Sequence, residues 1–82
     1  MYIHLGNNKS IRSKEIIGIF DMDTATVSPH TKKFLKSREK KGKMKLVSME
    51  LPKAFILTDS GDVYLSQIST STLIGRTENP EF

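Results

Sequence analysis

Two short, continuous apolar runs constrain the fold of this chain more than any other feature of its sequence. One covers residues 16–20 and the other residues 54–57, and both are rich in β-branched or aromatic side chains. Apolar runs of this length are too short for a helix and are typical of strands packed on both faces. We therefore expect both runs to be central strands of a sheet. Gly18 predicts a bulge or a close approach of another backbone.

Weaker strand signals surround these two runs. Ile3 and Leu5 alternate with Tyr2 and His4, which predicts a short strand at the start of the chain. Further strands are predicted over residues 9–12, 46–49 and 63–68, and the second apolar run is extended to 53–58. Residues 59–62 join the last two strands, and Gly61 can supply the left-handed residue of a hairpin turn there.

The pair Ser28-Pro29 predicts the start of the principal helix. Ser28 can accept early amide hydrogens, and Pro29 at the first helical position loses no needed donor. We expect the helix to run to Lys41, with Gly42 as its stop. At 100° per residue, the side facing the sheet carries Val27, Thr31, Phe34 and Leu35. The outward side carries Lys32, Lys33, Lys36, Lys40 and Lys43.

These elements together predict an α+β fold with a small, mostly antiparallel sheet, one principal helix and a short C-terminal helix. Residues 21–26 are expected to be a connection. The C-terminal helix is expected over residues 70–77, with Leu73 and Ile74 docked on the core. We expect a single domain over residues 1–77 and a frayed tail over residues 78–82.

The size of the chain predicts self-association. Only 37% of its 82 residues are hydrophobic, and it contains no cysteine that could form a disulfide or a thiolate metal site. A core this small is thin for a monomer, so we expect a homo-oligomer.

Positive charge is concentrated in one segment. The chain has a net charge of +4, yet residues 32–45 contain eight basic residues and one acidic residue, Glu39. This segment therefore carries +7, and the remainder carries −3. Such polarity favours a polyanionic partner, and duplex DNA is the expected one. A solvated helix face is the alternative interpretation.

No catalytic or metal-binding pattern is visible in the sequence. His4 and His30 are isolated, and Asp21 and Asp23 lack the other ligands of a calcium loop. We therefore expect no enzymatic activity, no metal and no cofactor. No apolar stretch approaches the roughly 20 residues that span a bilayer, and the N-terminus lacks the signal-peptide pattern. A cytoplasmic protein without membrane contact is expected.

Several segments resemble the bacterial extracellular matrix (biofilm) regulator family. They are MYIHLG, EIIGIFD, SPHTKKFLK, AFILTDSG, VYLS and STSTL with Arg76. The resemblance covers residues 1–76 and is strongest to the RemB branch, which is related to RemA. It implies a LytTR-like fold, assembly into rings or filaments, and DNA binding in the control of matrix genes.

The resemblance also implies which residues contact DNA. Lys53 and Arg76 match basic positions of the family, whereas Glu50-Leu51 stands where the RemA branch has two adjacent arginines. Glu15 likewise stands where that branch has an arginine. Two hypotheses follow: a DNA-binding regulator, or a protein-interaction module or partner subunit without DNA contact of its own. Together with the lysines on the outward side of the helix, these two matched basic positions give the expected DNA-binding residues: Lys32, Lys33, Lys36, Lys40, Lys43, Lys53 and Arg76.

Overall fold

The computed structural model describes residues 2–6, 9–47 and 50–78. The strands are β1 (Tyr2–Gly6), β2 (Lys9–Arg12), β3 (Ile16–Asp21), β4 (Met44–Leu46), β5 (Ala54–Thr58) and β6 (Val63–Ser66). The helices are α1 (Met22–Ala25), α2 (Pro29–Lys40) and α3 (Thr70–Glu78), and a 3₁₀ turn covers Ser13–Glu15. Residue 78, where the frayed tail was expected to begin, ends α3, and the rest of that tail lies outside the described residues.

The strands form two sheets. β1 and β2 pair as an antiparallel hairpin, and the other four strands lie in the order β3-β5-β6-β4. The β3–β5 and β5–β6 pairings are antiparallel, and β4 runs parallel to β6. These pairings confirm the α+β class and the mostly antiparallel character. The LytTR-like label stays a prediction.

One of the two apolar runs was placed wrongly by the sequence. β5 is central as expected, but β3 lies at an edge of the four-stranded sheet. Ile16 and Ile19 pack on one face, while Phe20 stacks on Phe55 on the other, with ring centroids 4.9 Å apart. The apolar run thus reflects packing against both faces of the strand. It does not show whether neighbouring strands pair with both of its edges. The predicted bulge is confirmed by a register shift between Ile16 and Gly18.

The strand expected over 46–49 begins earlier. β4 covers Met44–Leu46, and residues 48 and 49 lie outside the described residues. Parallel pairing places Met44 opposite Val63 and Leu46 opposite Leu65. The shift follows from this long-range pairing, which leaves no local signal in so short a strand. β6 covers Val63–Ser66, so it is two residues shorter than the strand expected over 63–68. The 59–62 turn joins β5 to β6 as expected, with Gly61 at φ +89°.

The two faces of the four-stranded sheet carry two separate cores. Alternate residues of β5 point to opposite faces, so Ala54 and Ile56 belong to one core and Phe55 and Leu57 to the other. The hairpin face is covered by β1, β2 and α3. Its buried residues are Ile3, Leu5, Ile11, Val47, Ala54, Ile56 and Leu73. The α2 face is covered by α1 and α2, and its buried residues are Leu35, Phe55, Val63 and Leu65.

The connection expected over 21–26 contains a helical turn, α1. An Asp21 carboxylate oxygen accepts hydrogen bonds from the amides of Asp23 and Thr24 at 2.8 and 3.1 Å. These bonds satisfy two of the free amides of the turn, which is the ordinary role of Asp before a helix. Ser28, by contrast, makes no such side-chain bond at α2, contrary to expectation, and only Pro29 acts there as predicted.

The inward sides of α2 and α3 are narrower than predicted. Leu35 is buried and Phe34 half-buried, but Val27 precedes α2 and is 75% exposed. On α3, Leu73 is fully buried whereas Ile74 is exposed. α2 therefore docks through Leu35 and Phe34, and α3 through Leu73, while Val27 and Ile74 lie at the margins of these contacts.

Candidate nucleic-acid interface

The outward side of α2 carries four exposed lysines. These residues, which we call the lysine face, are Lys32, Lys33, Lys36 and Lys40. Leu35 fixes the rotation of the helix because it packs against the α2 face of the sheet. The helical period then turns the lysine face to solvent. This arrangement confirms the expected position of all four side chains.

Three residues of the lysine face help to line an open depression of about 400 Å³. Lys33, Lys36, Ser37, Lys40 and Lys41 line it. The hydroxyl and ammonium groups are all hydrogen-bond donors, and the ammonium groups are charged. A phosphate oxygen is the kind of acceptor that such a set of donors can hold.

Arg38 lies apart from the lysine face. Its guanidinium lies over the ring of Phe34, 5.1 Å from the ring centroid, and the residue is half-buried. A Cβ added at Gly61 would lie 3.2 Å from Arg38 Nη1, so the side chain reaches the β5–β6 turn. Arg38 therefore extends from α2 to the β5–β6 turn. As a cation in the last turn of α2, it also complements the helix dipole.

Lys43 was expected on the outward side of the helix, and that placement is wrong. α2 ends at Lys40, and Gly42 at φ +70° turns the chain toward β4. The amide of Lys43 donates to the carbonyl of Arg38 at 2.9 Å, and its carbonyl accepts from the amide of Val63 at 2.8 Å. Lys43 is half-buried in this connection, so helical angles do not apply to it.

Lys53 and Arg76 lie apart from the lysine face. Lys53 is exposed just before β5, where its carbonyl accepts a hydrogen bond from the amide of Met22 in α1. Arg76 lies on α3, on the hairpin face, and its Nη1 donates to the carbonyl of His4 at 2.6 Å. The structure thus brings together four of the seven expected residues. A DNA contact by Lys43, Lys53 or Arg76 stays a prediction.

A second cluster with two cations escaped the sequence analysis. Tyr2, Arg12, Ser13 and Lys14 line an open depression of about 320 Å³ at the end of the β1–β2 hairpin. A hydrogen bond to Tyr2, and to a lesser extent the charge of Glu15, raises the pKa of Arg12. Arg12 and Lys14 lie outside the basic segment 32–45, so the charge distribution along the sequence does not identify them. The hairpin brings them beside Tyr2.

The described residues offer no group of three or more His, Cys, Asp and Glu side chains that could hold a metal ion. His4 lies on β1 and His30 on α2, which cover opposite faces of the sheet. Among the helices of the described part of the chain, none is long and apolar enough to cross a membrane.

Comparison with known proteins gives two matches. Residues 2–77 match the profile of a family described as RemA-like, extracellular matrix regulatory protein A-like. The chain is also 39% identical over 80 residues to the extracellular matrix regulatory protein B of Bacillus subtilis strain 168. That alignment covers 95% of this chain and 91% of the Bacillus protein.

Proposed function

This chain belongs to the RemA-like family of extracellular matrix regulatory proteins, and on that basis we propose that it regulates biofilm matrix genes by binding duplex DNA as a homo-oligomer. The proposal assigns the DNA contact to the lysine face of α2. It places the protein in the cytoplasm, where the DNA is, and gives it no enzymatic role.

The lysine face is the observation that carries this proposal. Lys32, Lys36 and Lys40 follow one another along α2 with about 6 Å between successive residues, as four residues at about 1.5 Å each. Their exposed ammonium groups form a row that duplex DNA, with about one negative charge per 1.7 Å of its axis, can match. Contacts of this kind fix the position of the protein on DNA without reading sequence.

A membrane surface fits the same lysines less well. A helix that lies on a bilayer needs a free apolar side to enter the lipid. In α2 the apolar residues Phe34 and Leu35 pack against the sheet. The helix therefore offers charge alone, which suits a phosphate backbone.

The protein-interaction module remains a second candidate because of the loop before β5. Leu51 is 88% exposed in this loop and follows Glu50, where the RemA branch has two arginines. An exposed leucine next to a carboxylate suits a protein partner better than a phosphate. In this alternative the loop, and not α2, makes the functional contact.

A salt titration separates these two functions. We would measure binding to a fluorescent duplex by anisotropy at several salt concentrations, for the wild type and for Lys36→Ala/Lys40→Ala. The slope of log K against log salt is negative, and each lost phosphate contact makes it shallower by about 0.9, so the double variant should have a slope shallower by about 1.8. The loss should be the same on specific and scrambled duplexes.

The matched control is Lys9→Ala/Lys14→Ala, which removes two other exposed lysines and hence the same net charge. This control should keep the wild-type slope. If the wild type does not bind duplex DNA at low salt, the result favours the protein-interaction module. Equal losses in the two double variants would show that net charge, and not the lysine face, attracts the DNA.

A further inference from the structure

The four-stranded sheet ends in two different edges. β3 forms one and β4 the other, and within the described part of the chain no strand pairs with their outer sides. Both edges are apolar on the outside: Ile17 at the β3 bulge and Leu46 on β4 are each 64% exposed. Free edges with exposed apolar side chains invite another strand.

Each of the two edge strands has an exposed apolar side chain on the same face of the sheet, the α2 face. Phe20 stacks on Phe55 and so lies on the α2 face, where it is 40% exposed. Leu46 pairs with Leu65 and alternates with Lys45, so it lies on the α2 face as well. If β3 joined β4 of another copy in one continuous sheet, these two exposed side chains would meet on one face.

The grooves beside α2 extend the match. On the β3 side, an open groove of about 300 Å³ is lined by Phe20, His30, Thr31, Phe34, Phe55 and Leu57. On the β4 side, an open groove of about 280 Å³ is lined by Met22, Leu35, Lys36, Glu39, Met44 and Leu65. Joining unlike edges would bring these grooves together and cover apolar surface that one copy leaves open.

Charge distinguishes the joining of unlike edges from the joining of like edges. Asp21 is the charged residue of β3, and Glu15 directly precedes the strand. Lys45 is the charged residue of β4, and Lys43 directly precedes it. Two β3 edges would bring carboxylates together, and two β4 edges would bring lysines together. Among these four residues, opposite charges meet only when β3 meets β4.

We propose that β3 of one copy pairs with β4 of a second copy, in parallel, so that the four-stranded sheet continues from copy to copy. The parallel direction follows from the topology, since β3 and β6 are both antiparallel to β5 and β4 is parallel to β6. The inference rests on the proposed homo-oligomer and names its interface.

Such an interface is heterologous, so it leaves one free edge at each end and repeats until it closes into a ring or continues as a filament. It also keeps α2 on the same side of the sheet in every copy. Lysine faces would then recur about every 19 Å, the width of four strands at about 4.8 Å each. One DNA duplex could contact several of them.

Mixing two blocked variants tests the interface. Ile17→Lys places a charge on the β3 edge, and Leu46→Lys places the same charge on the β4 edge. We would measure masses by light scattering without DNA at tens of micromolar protein. The wild type should contain several chains and each variant alone one chain. An equimolar mixture should contain two, because each variant keeps one intact edge of the opposite kind.

Leu51→Lys is the matched control, since it makes the same change at a leucine that lies on neither edge, and it should keep the wild-type mass. A blocked variant that dimerises alone would show pairing of like edges and overturn the proposal. Wild-type masses in both variants would place the interface elsewhere, and a mixture that stays at one chain would contradict it too. A single-chain wild type would overturn both this inference and the proposed oligomer, while the salt titration judges DNA binding separately.

Discussion

The two faces of the four-stranded sheet are packed very differently. On the hairpin face, Leu5 and Leu73 show 0% exposure, and β1, β2 and α3 close over them. On the α2 face, the short α1 and the helix α2 cover the sheet, α2 packs on it through Leu35 and half-buried Phe34, and open grooves remain on both sides of α2. The closed hairpin face holds seven of the eleven buried hydrophobic residues of the described chain, and the open α2 face presents the lysines and the surfaces available to partners.

The largest loss of stability should come from a cavity in the core of the hairpin face. Leu73→Ala removes a fully buried side chain that anchors α3, and it should lower the free energy of unfolding by about 3 kcal/mol. Urea unfolding at fixed protein concentration measures this. Ile74→Ala is the neighbouring control on the same helix and should change the value by less than about 1 kcal/mol. Similar losses in the two variants would mean that α3 is not anchored through Leu73.

Removal of a buried hydroxyl group on the hairpin face should cause a smaller loss of stability. Ser66 Oγ donates to the carbonyl of Leu5 at 2.7 Å and accepts from the amide of Ile68 at 3.1 Å. Ser66→Ala leaves both groups without this partner, so we expect a loss of about 2 kcal/mol in urea unfolding. Ser37→Ala, on the exposed side of α2, should leave stability almost unchanged. If Ser66→Ala is equally silent, the hydroxyl does not hold the hairpin to the sheet.

Substitutions at two glycines test whether Arg38 connects α2 to the β5–β6 turn. Gly42 and Gly61 both have positive φ, so alanine should cost about 1–2 kcal/mol at either position. A Cβ at Gly61 also meets Arg38 Nη1 at 3.2 Å, whereas nothing lies within 4 Å of one at Gly42. Gly61→Ala should therefore lower the melting temperature more than Gly42→Ala.

An Arg38→Ala background provides the control for this pair. The difference between the two glycine variants should disappear in that background, since the guanidinium is then absent. A difference that persists would come from the backbone alone, and Arg38 would not couple the turn to α2.

Local signals in the sequence predicted much of this fold. Pro29 and Gly42 bracket α2, Gly61 identifies the hairpin turn, and the continuous apolar run of β5 is readable in four residues. The periodicity of α2 also gave the lysine face, because that surface depends on one helix and one anchor, Leu35.

The remaining features depend on contacts between distant residues. The edge position of β3 and the parallel pairing of β4 follow from strand order, which leaves no local pattern. Arg76 matched a basic family position, yet its hydrogen bond to His4 joins residues 72 positions apart. Helical angles misplaced Lys43 because they assume that the helix continues, and the chain turns at Gly42.

The smallest effect on stability should come from the lysine face itself. Lys32→Ala/Lys36→Ala/Lys40→Ala removes three exposed side chains, and alanine is the best helix former. We expect the free energy of unfolding to change by less than about 1 kcal/mol in urea unfolding. A much larger loss would show that these lysines serve the fold and would erase the contrast between the two faces.

Lysine acetylation with and without duplex DNA, followed by mass spectrometry, tests the central claim most directly. The reagent reports the exposure of each ammonium group in the intact protein, and the comparison isolates the effect of DNA. Our account predicts that DNA slows the acetylation of Lys32, Lys36 and Lys40 several-fold and leaves Lys9 and Lys14 unchanged. Protection of Lys9 and Lys14 with full reactivity of the α2 lysines would contradict it, because DNA would then lie at the hairpin.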